Sequence, residues 1–466
     1  MNRRRLLAGA LVLLMPSGAS AHAFAQRYDL PLPLWHYLVG AGATVGLSFV
    51  VSATFLRGGE ARVPRLRFTL PKRAMTLAER VLRLFGIAAF FLLLAAGFFG
   101  EQGDWDSNLL PVTVWVVWWV GITFVSALLG DVWPLVDPWR AVGSLFEPGR
   151  QPLPWPDRVG AWPAVVLFFL FAFAELAWTE NAVPRKLALV IAGYSLLTWT
   201  GMALFGVETW RRKADPFARF FGLFARCAPL AADRGEFAVR PFGAGLRQET
   251  PPSFATVAFV ILALATVSFD GIAETPLWES VVGEAMGLLY RAGFVEVFGY
   301  GPASTVIKAL GLVATPLVFA AIYAGVCALV GRIAQEAPGL TIRRYVLSLV
   351  PIAIAYHLAH YLSYLLVQGQ AVWPLLSDPL NRGWDLFGTR RYEIDIGIVG
   401  MRFVWIFAVI AIVVGHVAAT ALAHVEALRT APGRRIAIAS QVPMLLLMVC
   451  YTMLSLWILS QPIVAT

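Results

Sequence analysis

Ten almost wholly apolar stretches recur through the chain, separated by short polar segments. They fall at 35–56, 82–100, 109–129, 162–178, 187–206, 253–269, 309–331, 344–367, 400–424 and 442–464. Runs of about 17–25 residues, wound at roughly 1.5 Å per residue, match the ~30 Å apolar thickness of a bilayer. A lone strand at that depth would leave its backbone polar groups without partners, so each run is expected as a helix. The fold class expected is an all-α integral membrane protein with about ten transmembrane helices, forming a single polytopic domain over 22–466. Two longer polar segments also carry helical spacing. DPFARFFGLFARCAPL interleaves Phe and Arg and predicts an amphipathic helix on the cytoplasmic surface. TPLWESVVGEAMGLLYRAGFVEVFGY predicts a helix folded back over the outer side of the bundle.

The first 21 residues read differently. MNRRR is a basic start, LLAGALVLLM an apolar core too short to span, and Ala19-Ser20-Ala21 a small-x-small cleavage site. Residues 1–21 are therefore expected to be a signal peptide, with His22 the first mature residue.

Charge then orients the helices. The loops RGGEARVPRLRFTLPKRAMTLAER, 208–252 and RTAPGRR are basic, which assigns them to the cytoplasm. EQGDWDSN has no Lys or Arg, and 270–308 is mostly acidic, which assigns both to the outside. One threading satisfies all five loops: N-out and C-out. The net charge of +9 is thereby explained by insertion, and no nucleic-acid partner is expected. Composition agrees, with 59% hydrophobic and 14% charged residues against about 45–50% and about 25% in soluble domains. Cys227, Cys327 and Cys450 form no CxxC, so neither a disulfide framework nor a thiolate zinc site is expected.

The chemistry-bearing residues are few. His357 and His360 are three apart in AYHLAHYLSYLL and share one helix face. His416 lies near the middle of the next run, and His424 is about 12 Å further along the same helix. His357, His360 and His416 can therefore be expected to share a metal, and His424 is too distant to join them. Asp270 ends an apolar run and is followed by Gly, which marks it as a ligand or a support to one. His22, as a free N-terminus, would offer an amine and an imidazole, a good set for a cupric ion. Asp378 and Asp385 follow the histidine helix, and Asp378 is the candidate general base. Glu175 and Asp29 are further carboxylates on the outer side, and His36 opens the first run. No Walker loop, dinucleotide fingerprint, GxSxG, HExxH or CxxCH occurs.

Several segments resemble a family of polytopic bacterial membrane proteins known as fenitrothion hydrolases. They are HAFAQRYDLPLPLW, NLLPVTVWVVWWVGITFVSALLGDVWPLVDPW, DPFARFFGLFAR, SFDGIAETPLW, IAYHLAHYLSYLLVQGQ, LLSDPLNRGWDLFGT and GHVAATALAH. The family pattern falls here on His22, Asp29, Phe269-Asp270-Gly271, His360, His416 and His424. The resemblance implies a multi-pass protein of the bacterial inner membrane that hydrolyses organophosphate triesters, apolar small molecules that partition into the lipid bilayer. On that reading a divalent ion, zinc or copper, polarises the phosphoryl oxygen and activates water. The alternative is a non-hydrolytic metal or haem protein for copper handling or electron transfer, with His357 and His416 as axial ligands. A transporter is a weaker third reading, because the sequence shows no inverted repeat and no paired broken helices.

Overall fold

The computed structural model describes residues 29–55, 66–69, 71–146, 152–233, 236–247 and 249–461. The expected signal peptide and His22 lie outside the described residues. Nine helices among the described residues are long and apolar enough to cross a membrane. They are α1 (Leu34–Phe55), α2 (Lys72–Phe99), α3 (Leu109–Leu128), α7 (Pro184–Phe205), α10 (Phe254–Ala273), α13 (Tyr300–Ala334), α14 (Pro338–Ser377), α15 (Met401–Thr430) and α16 (Arg434–Ser460). The short helices α4 (Trp133–Val136), α5 (Pro138–Gly143), α8 (Val207–Lys213), α9 (Pro216–Ala225) and α12 (Phe294–Phe298) connect them, with α11 (Pro276–Arg291) before α12. The remaining apolar helix, α6 (Trp162–Leu176), has 15 residues. At about 1.5 Å per residue it falls short of the full apolar thickness. It stops where the Asn181 side chain takes up the carbonyl of Glu175, 2.5 Å away. Three short strands, β1 (Leu66–Thr69), β2 (Leu230–Asp233) and β3 (Glu236–Val239), form one antiparallel sheet in the order β1-β3-β2.

Segments that the N-out, C-out threading would put on one side meet one another. At the basic end β1 pairs with β3, Arg434 donates to the carbonyl of Ala53 at 2.6 Å, and Arg343 donates to that of Pro252 at 2.6 Å. At the opposite end Asn381 donates to Glu101 at 2.9 Å, and the Arg185 amide donates to Gln102 at 3.2 Å. The alternation of the apolar runs is therefore realised as a bundle with two distinct polar ends.

The middle of the bundle is α14. Every residue from Val350 to Tyr361 on it is buried, as expected for a helix apolar all round and enclosed by protein. It packs against α15 at Gly415, where an added Cβ would stand 2.8 Å from the Pro351 carbonyl. Any side chain there would push the two helices apart.

Two expected elements take a different setting. The helix in DPFARFFGLFAR forms as α9, and its Phe face is buried in the protein instead of facing lipid. Phe217, Phe220 and Phe221 meet Trp118 and Trp119, and Arg219 reaches across to Thr256 at 2.6 Å. An apolar stripe predicts what a helix buries, and both lipid and an aromatic core satisfy it. The fold-back segment forms as α11 and α12, neither of which has a buried residue.

Candidate functional site

One polar group of the bundle interior joins α10 to α14. Asp270 sits in the last turn of α10, where the helix leaves the apolar run. Its Oδ2 accepts two hydrogen bonds from α14: from Nε2 of His360 at 2.9 Å and from Oη of Tyr361 at 2.5 Å. Both donors are buried, and the side chain of Asp270 is 17% exposed. The carboxylate thereby fixes His360 with its proton on Nε2. Gly271 allows the helices to approach, because the hydroxyl of Tyr356 stands where a Cβ would be. Glu274 caps the end of α10. Burial and the neighbouring Asp270 push its carboxyl above the usual range, with His360 and Lys308 opposing.

One turn toward the basic end, His357 points to a different wall. Its ring stands 4.7 Å from that of Tyr361 and 5.9 Å from that of Trp119, with Phe220 and Phe224 beside it. Its Nε2 is buried and has no hydrogen-bond partner among the described residues. Glu175, His357, Tyr361, Thr266 and Trp119 line a small chamber of about 10 Å³, which is the space of roughly one water molecule. The chamber is therefore a water-sized space lined by residues that carry a carboxyl, an imidazole and a phenol.

The other histidines lie apart. His416 donates from Nδ1 to the carbonyl of Ile412 at 2.8 Å, and its ring faces Tyr451 at 5.7 Å. Tyr451 in turn shares a hydrogen bond of 2.5 Å with Ser268 on α10. Thr420 bonds the backbone of His416 at 2.8 Å and leaves its imidazole alone. His424 packs edge-on to Phe49. His36 is exposed and stacks on Trp35. The structure thus brings His360 to Asp270 and sets His357 one turn below them, while His416 turns toward α16. Among the described residues, no three of His, Cys, Asp and Glu form a group that could hold a metal ion. A haem between His357 and His416 would need α14 and α15 apart, and they touch at Gly415.

Asp378 holds a loop together. Its two oxygens accept from the amides of Arg382 and Gly383, each at 2.7 Å, and Arg390 stands 3.8 Å away. Asp385 accepts from the amide of Arg390 at 3.1 Å. Asp29 is exposed.

Sequence reasoning passed over Tyr361 and Trp119, and it gave Glu175 no role. The signal for Glu175 was present, as a lone carboxylate in FLFAFAEL. A second group also went unseen, near the basic end. Asp137 and Asp215 cap α5 and α9, and each precedes a proline. Arg211 stands 3.4 Å from Asp137, and Tyr194 donates to Asp215 at 3.4 Å. Burial, followed by repulsion from Asp137, pushes the Asp215 carboxyl up to about 7. Burial pushes Asp131 up to about 6, against the pull of Arg211 and Arg140.

Compared with protein-family models, with curated proteins and with solved structures, the chain matches none.

Proposed function

We propose that this chain is a membrane-embedded hydrolase of a neutral, apolar ester, with Asp270, His360 and Tyr361 as its acid–base centre. One observation carries the reading: a single oxygen of Asp270 accepts from both His360 and Tyr361 in the bundle interior. Ionisable groups are costly at such depth and are kept where they work. A carboxylate that fixes an imidazole sets its tautomer and stabilises its charged form, which suits a group that takes and returns a proton. The chamber beside it supplies the second requirement, a place for one water. There Glu175 and His357 line the water-sized space, and Tyr361, which also lines it, donates to Asp270. Organophosphate triesters, the substrates implied by the resemblance, are neutral and partition into bilayers.

No chemistry is routed through a divalent ion here, because among the described residues His357 and Glu175 are joined by no third ligand that could hold one. His416 is held elsewhere, so no step is assigned to the ligand set expected from the sequence.

The test is turnover by the full chain in proteoliposomes. The substrates are a neutral 4-nitrophenyl phosphotriester, a neutral 4-nitrophenyl carboxylic ester and the anionic phosphodiester. Release of 4-nitrophenol from a neutral ester, and not from the diester, is expected. Rates equal to empty liposomes for every substrate would end the hydrolase reading.

A further inference from the structure

A second cavity lies between α2, α3, α6 and α7, distinct from the small chamber. Its volume is about 540 Å³, within the roughly 300–1,000 Å³ of small-molecule sites. Among the described residues no charged side chain lines it, and its wall carries the rings of Trp115, Trp118, Trp139, Phe171 and Tyr194. Leu170 on α6 and Val190 on α7 line it as well and are 52% and 44% exposed, so its mouth opens sideways between those helices.

We propose that this cavity is a binding site for a neutral aromatic molecule that arrives from the bilayer. Charge selects against ions: a charged guest would be stripped of water with no partner to meet it. Aromatic rings select for rings. The wall already pairs them edge to face, Trp118 with Phe217 at 4.7 Å between centroids, and a flat guest extends that packing. The cavity also has a destination. Phe171 on its wall stands 4.6 Å from Trp119, which lines the chamber of Glu175 and His357. A bound guest is therefore one aromatic layer from the polar centre. Trp119 lies in a π-helical stretch of α3, Thr113–Gly121, a geometry that recurs at functional sites.

The site is tested by binding alone, so its failure leaves the acid–base centre standing, and loss of the hydrolase reading leaves the site standing. The full chain in nanodiscs is irradiated with a neutral trifluoromethyl-phenyldiazirine, and adducts are mapped by mass spectrometry. Labelling at Tyr194 is expected to exceed that at lipid-facing Leu446, which is 60% exposed, by about tenfold, or ~1.4 kcal/mol of preference. Excess diphenyl ether should suppress it, and excess oleyl alcohol and the anionic benzoate analogue should not. Gly193 lines the cavity with nothing within 4 Å of an added Cβ. Gly193→Phe adds a ring at this wall and should cut labelling at Tyr194 about tenfold, leaving Leu446 unchanged. Equal labelling at Tyr194 and Leu446 would overturn the proposal as an ordinary lipid-facing surface. Competition by oleyl alcohol alone would overturn it in favour of an acyl chain. The competition arm uses the natural sequence, so it decides the matter even if Gly193→Phe fails to fold.

Discussion

Replacing Tyr361 by Phe removes one oxygen atom from the bundle interior and leaves the ring in place. The lost bond is the 2.5 Å donation from Oη to Asp270, and the ring keeps its contacts with His357 and His360. Two magnitudes bound the cost. Hydrogen bonds to charged groups in soluble proteins contribute about 1.5–3 kcal/mol. Bonds between helices within a membrane average about 0.6 and reach about 1.7 kcal/mol. Asp270 keeps its bond from His360 in the variant, so it is not stranded. The expected loss is about 1–1.5 kcal/mol, nearly tenfold in the folded-to-unfolded ratio. A double-mutant cycle isolates the bond: Tyr361→Phe, Asp270→Ala and the pair, each unfolded in mixed micelles with a graded denaturing detergent. The coupling should be about 1 kcal/mol, above the ~0.3–0.5 kcal/mol at which distant sites simply add. Additive losses would refute the reasoning, because the two groups would then not be bonded in the folded protein.

Two further outcomes follow from other parts of the molecule. Asp215 ionises near 7 in the folded chain against an ordinary 3.8, so the folded state holds its proton more tightly than the unfolded one. The contribution of Asp215 to stability is then full below about pH 4 and is lost as pH rises toward 7; Asp215→Asn should remove that part of the slope in thermal unfolding scans over this window, and an unchanged slope would count against it. Reporter fusions after Arg80, Arg247 and Arg434 should all report the cytoplasm, and an outside signal at any of them would break the orientation drawn from loop charge.

Much of the bundle was readable because a bilayer imposes length. The run placed at 187–206 forms as Pro184–Phe205, and that at 253–269 as Phe254–Ala273. Where the structure runs longer, as in Tyr300–Ala334, the helix continues past its apolar part, which hydropathy alone does not see. The short α6 was read as a span because its composition is right, while its ending coincides with a local side-chain bond from Asn181 to the Glu175 carbonyl. The site was partly readable. Asp270 and the α14 histidines were expected together, and His360 does meet Asp270. Which neighbour faces α10 was not readable, since His360 and Tyr361 point about 100° apart on an ideal helix and only packing lets both reach one oxygen. His416 was matched to His357 by depth. Rotation about the helix axis, which depth does not set, turns it to Tyr451. The residues of α9 show the same limit, because a Phe face reads alike whether lipid or Trp119 covers it.

The central claim, that Asp270 holds the acid–base centre of a hydrolase, is tested most directly by Asp270→Asn. The variant keeps the size of the side chain and removes its charge. Initial rates on the neutral ester are compared with those of the natural chain, in proteoliposomes matched for folded protein. The expected result is a loss of about 10²–10⁴-fold, the range a positioned acid–base group supplies. Equal rates from the two proteins would contradict the claim.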